Sequence, residues 1–75
     1  MDQVAKPLQI LQNSLNKNVL VCVKGNKEYR GILTGYDQHM NLVLKNAEEF
    51  SDNQSKGTYP IVVVRGDNVI YISPS

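Results

Sequence analysis

The stretch Glu28–Tyr36 reads Glu-Tyr-Arg-Gly-Ile-Leu-Thr-Gly-Tyr, one long strand with glycines at positions 31 and 35. A glycine inside a strand gives up stability, because it loses the most backbone freedom on folding and has no side chain to pack. Two of them four residues apart mark sharp bending or a close approach of backbones. A strand bent that strongly lets a single short sheet curl over itself into a small barrel. The chain has 75 residues, one small domain with a limited core. The sequence therefore asks for curvature.

The other apolar runs are short and β-branched. Val19, Val21 and Val23 alternate with Leu20 and Cys22, so the first strand is apolar on both faces. Lys24-Gly25-Asn26-Lys27 is a hairpin connection with a two-residue turn signal at Gly25-Asn26. Leu42 opens a third strand that runs to about Glu48. The polar stretch from Glu49 to Gly57 reads as an exposed loop. Tyr59–Val64 is the fourth strand, with Pro60 suited to a strand start or an edge. Val69–Ile72 is the fifth, reached through a very short connection at Gly66-Asp67. Ahead of the strands, Leu8, Leu11 and Leu15 recur at helical spacing behind Pro7, predicting a helix over about 5–15. The fold class is mostly β, a helix followed by five strands.

Composition narrows the function. Hydrophobic residues make up 41% and charged residues 20%, which suits a folded domain. A formal net charge of +1 argues against coating duplex DNA by neutralising phosphates, and leaves open the reading of single strands through their bases. One cysteine and one histidine exclude an internal disulfide and argue against structural zinc, and no cofactor is expected. No apolar run nears the length of a membrane span, and no signal-peptide core is present. With Cys22 reading as a reduced, buried thiol, the expectation is a cytoplasmic chain without a membrane partner. Oligomerisation is then the supplement a core this small needs. The exposed edges suit strand four of one copy pairing with strand five of the next, a head-to-tail contact that closes into a ring.

Two polar connections interrupt these runs. Gly35-Tyr36-Asp37-Gln38-His39-Met40-Asn41 carries a carboxylate, the only histidine and an amide, and Arg65-Gly66-Asp67-Asn68 is the second. These groups read hydrogen-bond edges and offer flat faces, which a simple turn does not need. The two connections are expected to meet in one pocket. Asp37 and His39 have neither a positioned nucleophile nor enough ligands beside them, so no catalytic or metal residues are assigned.

The motifs at these positions carry a resemblance. Val21-Cys22-Val23-Lys24-Gly25, Arg30-Gly31-Ile32-Leu33 and Asp37-Gln38-His39-Met40-Asn41-Leu42 match the first motif of the Sm and Sm-like (LSm) proteins. Ile61-Val62-Val63-Val64-Arg65-Gly66-Asp67-Asn68-Val69 matches the second. The chain resembles the archaeal branch most. The resemblance implies one Sm-like domain over 1–75, with the first motif at about 18–49, a variable loop at about 50–57 and the second motif at about 58–73. It implies an N-terminal helix on a five-stranded, strongly bent antiparallel SH3-like small barrel. It further implies a homo-oligomeric ring, commonly of seven subunits, that binds uridine-rich single-stranded RNA at its inner rim and works with RNA-processing proteins. Six-membered bacterial relatives carry a lysine-histidine pair where this chain has Arg65-Gly66, which favours seven.

Carried over by position, the base-binding residues are His39, Asn41 and Arg65, supported by Asp37, Gly66 and Asp67. The chemistry agrees. His39 offers a ring for one face of a base, and Arg65 a planar cation for the other. The Asn41 carboxamide can pair with the edge of uracil. Asp37 can accept from Asn41 or from loop amides, Gly66 allows a tight turn and a close ribose or base, and Asp67 orients Arg65. Met40 is expected in the core, and Lys24, Lys27 and Arg30 are candidates for a phosphate path. The function expected is a ring-forming RNA scaffold or chaperone and not an enzyme; the rival is a small-barrel protein–protein adaptor whose RNA binding is incidental.

Overall fold

The elements are α1 (Pro7–Asn13), β1 (Asn18–Val23), β2 (Lys27–Tyr36), β3 (Leu42–Ser51), β4 (Gln54–Val64) and β5 (Val69–Pro74), with a 3-10 turn at Gly66–Asn68. The computed structural model describes residues 7–74. Every paired neighbour is antiparallel, and the strands lie in the order β4-β3-β2-β1-β5. The sheet curls without closing, so β4 and β5 are its two edges.

Curvature is concentrated at the glycines. The β2–β3 register shifts between Arg30 and Ile32, and again between Leu33 and Gly35. A Cβ added at Gly31 would lie 2.9 Å from the Ala47 Cα and 3.0 Å from the Lys45 carbonyl oxygen, so the approach needs a glycine. Facing it, Asn46 takes φ 53°, where β3 carries the extra residue of a bulge. The bulge turns the strand over. Leu42 and Leu44 reach the core from one half of β3, and Ala47 reaches it from the other. Val19, Val21, Val23, Leu33 and Val64 complete the strand side of that core, and Leu11 is the helix's contribution to it.

Four boundaries differ from the sequence expectation. The helix stops at Asn13, where Asn16 at φ 64° turns the chain and its N–H donates to the Leu33 carbonyl at 2.7 Å. That docking onto β2 ends the helix two residues before the predicted limit; residues 5 and 6 of the predicted span lie outside the described residues. The β1–β2 turn has three residues, since Val23 pairs with Lys27. Gly25 and Asn26 hold its positive φ angles of 87° and 60°. The predicted loop at 50–57 is instead a hairpin, in which β3 runs to Ser51, β4 starts at Gln54, and only Asp52-Asn53 turns. Their φ angles of 52° and 65° suit a two-residue primed turn, which matches the twist of the strands it joins. Residues 52–60 are exposed along this hairpin, so their polarity reflects water on both faces and not a missing ladder. Last, β5 continues to Pro74. Pro60 sits on an edge strand, as its missing donor requires.

Candidate nucleic-acid interface

The β2–β3 turn is built by one side chain. The Oδ1 of Asp37 accepts from the N–H of His39 at 2.9 Å and of Asn41 at 3.1 Å, and its Oδ2 accepts from the Asn41 Nδ2 at 3.0 Å. The Met40 N–H donates to the Asp37 carbonyl at 3.0 Å, and the Asp37 N–H to the Asn41 carbonyl at 3.2 Å. This is a three-residue hairpin loop whose last residue takes the left-handed conformation. Met40 occupies that position at φ 65° and packs, half-buried, against the core as expected. Its packing offsets the discomfort of a non-glycine residue there.

The second turn joins the first through Asn41 and Gly66. The Gly66 N–H donates to the Asn41 Oδ1 at 2.8 Å, across 25 residues of sequence. A Cβ at Gly66 would overlap the His39 carbonyl oxygen and crowd the Met40 carbonyl carbon at 2.9 Å. What comes close to Gly66 within this chain is therefore the backbone of the other turn. The Asn68 N–H donates to the Arg65 carbonyl at 3.0 Å and closes the 3-10 turn. The two polar connections form one unit.

Arg65 hangs from that unit into solvent. Its guanidinium meets the Asp67 Oδ2 at 3.1 Å, with side chains 76% and 64% exposed. So exposed a pair contributes little to stability and exchanges readily for another partner. A hollow of about 500 Å³ is lined by Tyr36, Asp37, Asn41, Val43, Val63 and Arg65. Asp37, Asn41 and Arg65 thus line one space; Gly66 does not line it but ties the second turn to Asn41, and Asp67 reaches it only through its exposed pairing with Arg65. The His39 backbone is held by Asp37, but its side chain is exposed and does not line the hollow of the single chain. Tyr36, which sequence reasoning left unassigned, does. Its only local signal is an aromatic ring at the end of β2, directly before Asp37.

The donors around Asp37 set its electrostatics. The Asn41 amide first, then the backbone N–H groups of Asn41 and His39 and the nearby imidazole, hold its carboxyl below the usual carboxylate range. Of the three candidate phosphate contacts, Lys24 and Lys27 line one groove with Arg65. Arg30 stands apart from them, stacked 4.4 Å over the Phe50 ring and 3.6 Å from Glu28.

Residues 9–74 match the LSM domain family. An Sm-like protein of Thermoplasma acidophilum is 57% identical over 70 residues, 93% of this chain and 84% of that one. One of Methanosarcina acetivorans is 55% identical over 69 residues, 92% of this chain and 96% of that one. Among solved structures, the Pyrococcus abyssii Sm protein in complex with a uridine heptamer superposes with a TM-score of 0.90 at 46% identity, covering 95% of this chain and 100% of that one. A heptameric archaeal Sm protein superposes with a TM-score of 0.83 at 46% identity, covering 89% and 97%. The helix, the glycine-bent strands and the paired turns are accounted for together: the chain belongs to the Sm-like family and sits among its archaeal members.

Proposed function

We propose that copies of this chain assemble into a seven-membered ring that binds uridine-rich single-stranded RNA at its inner rim, as a scaffold or chaperone in RNA processing. The observation that carries the reading is the fusion of the two turns by the Asn41–Gly66 bond, which puts an amide and a guanidinium on one surface. The similarity to a protein solved with a uridine heptamer and to a heptameric archaeal ring supports the ligand and the copy number.

The ring rests on the two edges. Tyr59, Ile61 and Val63 alternate along β4 at 42%, 58% and 67% exposure, and Ile70 and Tyr71 on β5 are 60% and 49% exposed. Two unlike apolar edges on one molecule fit each other, and each copy then offers one of them onward.

In the site, Asn41 selects. Its Nδ2 already makes one bond within its own turn and its Oδ1 accepts one from the other turn, leaving one N–H and one oxygen lone pair to meet the N3–H and a carbonyl of uracil. Cytosine lacks that N3 donor and leaves a mismatch of about 1–3 kcal/mol. Stacking by Arg65 and His39 adds about 1–3 kcal/mol per base without choosing among bases. Repetition around the ring raises the total affinity well beyond that of one site. None of this needs a nucleophile, and the role assigned is not enzymatic. Fluorescence titration with oligouridine and oligocytidine tests the reading. A clear preference for oligouridine is expected; equal, weak signals for both would instead favour a protein–protein adaptor.

A further inference from the structure

The alternation that buries Val21 and Val23 turns Cys22 to the opposite face of the sheet, away from the core. On that face Cys22 pairs with Glu28 and Glu28 with Phe50, so three neighbouring strands set these side chains in one row. A hollow of about 320 Å³ opens there, lined by the row together with Asn26, Asp52 and Asn53. The last three come from the β1–β2 and β3–β4 turns, whose backbones meet where the Asp52 N–H donates to the Asn26 carbonyl at 3.4 Å. No residue of β4, of β5 or of the base-reading turns takes part, so assembly through the two edges leaves the hollow open.

Two carboxylates, two amides and an aromatic ring line this space, and no lysine or arginine does. Such a lining repels phosphate and attracts a cation. The chain itself shows which cation suits it. The Arg30 guanidinium stands 4.4 Å over the Phe50 ring and 3.6 Å from the Glu28 carboxylate, without lining the hollow. A ring has two faces and a carboxylate two oxygens, so Phe50 and Glu28 keep capacity for a second guanidinium. Across the hollow, the exposed Asp52 carboxylate has no ion pair or side-chain hydrogen bond among the described residues. An ammonium would meet the charges alone, whereas a guanidinium also lies flat on the ring and forks its N–H groups to two carboxylates.

We propose that this hollow receives an arginine side chain of a partner protein, stacked on Phe50 and donating to Glu28 and Asp52. Asn26 and Asn53 offer amide oxygens to the N–H groups left over. The partner docks on a face separate from the turns that carry Asn41 and Arg65, so protein and RNA do not compete for one surface. One such contact is weak, and its repetition on every copy of an assembly makes a partner with several arginines bind much more tightly.

The test is fluorescence anisotropy of a labelled peptide carrying several arginines, set against the same peptide with lysine at each of those positions. The parent is expected to bind the arginine peptide about two- to fivefold more tightly than the lysine one. Glu28→Gln/Asp52→Asn should weaken the arginine peptide at least about tenfold. Phe50→Leu, which keeps both carboxylates, should bring the two peptides level. Glu48→Gln/Glu49→Gln removes the same charge from β3 outside the lining, and should bind the arginine peptide as the parent does. Equal binding of both peptides by the parent overturns the proposal. So does parental affinity in Glu28→Gln/Asp52→Asn, an equal loss in Glu48→Gln/Glu49→Gln, or an arginine preference that survives in Phe50→Leu. Parental oligouridine affinity is expected in every variant, and its loss in step with the peptide would refute the separation of the two surfaces. A parent that ignores uridine leaves the peptide comparison standing, so failure of the RNA reading and failure of this one are told apart.

Discussion

Asn41 has a structural duty beside the base-reading one proposed for it, and the two can be separated. Its oxygen satisfies the part-buried Gly66 N–H, and its amide helps hold Asp37. Asn41→Ala is therefore expected to flatten the uridine preference and also to lower stability by about 1–3 kcal/mol, the cost of a stranded donor. Arg65→Ala should weaken every base alike while stability stays within about 0.5 kcal/mol, because that side chain is exposed. Thermal melts beside the titrations decide this, and identical stability losses in the two variants would refute it. Acid gives a second handle. Asp37 is held below its ordinary value in the folded chain, so its contribution is complete above the unfolded pKa and fades as pH falls through the folded one. Oligouridine affinity through this group should stay level from neutrality to about pH 5 and drop only beneath the carboxylate range. Asp37→Asn should bind more weakly at neutral pH and lose that acid step; an unchanged step in this variant would assign it to another group.

Among the elements, β2 and β3 hold the shape. Gly31→Ala places a methyl group against Ala47 and the Lys45 carbonyl, and a loss of about 1–3 kcal/mol in chemical denaturation is expected. A neutral result there would mean that the bend tolerates a side chain. This bend was legible before any coordinates, because two glycines in a β-rich run have few other physical uses. The core face of β1 was equally legible from the alternation of Val19, Val21 and Val23. The stretch 49–57 was not. Residue polarity reports contact with water, and a projecting hairpin wets both faces while keeping its backbone bonds. The geometry of the candidate site was legible in part. Asp37, Asn41 and Arg65 stood out as polar groups between apolar runs, and their two turns do meet. The bond that joins those turns spans 25 residues and leaves no local trace, so neither the second duty of Asn41 nor the closeness of Gly66 to the His39 carbonyl could be read in advance.

For the whole molecule, the open sheet has two different ends, and assembly depends on both. Ile61→Lys puts a charge in the apolar stripe of β4, and native mass spectrometry should then show smaller species with unchanged circular dichroism. Intact rings in this variant would move the contact elsewhere. The turn that carries Arg65 and Gly66 is also the link between β4 and β5, the strands that would face opposite neighbours. A nucleotide resting on that link presses on two joints at once. Thermodynamic reciprocity then obliges the ligand to tighten the closed circle as much as closure tightens the grip on the ligand. Heating the protein with and without oligouridine should show the circle opening at a higher temperature when it is filled, and a coincident pair of transitions would show the joints to be indifferent to their cargo.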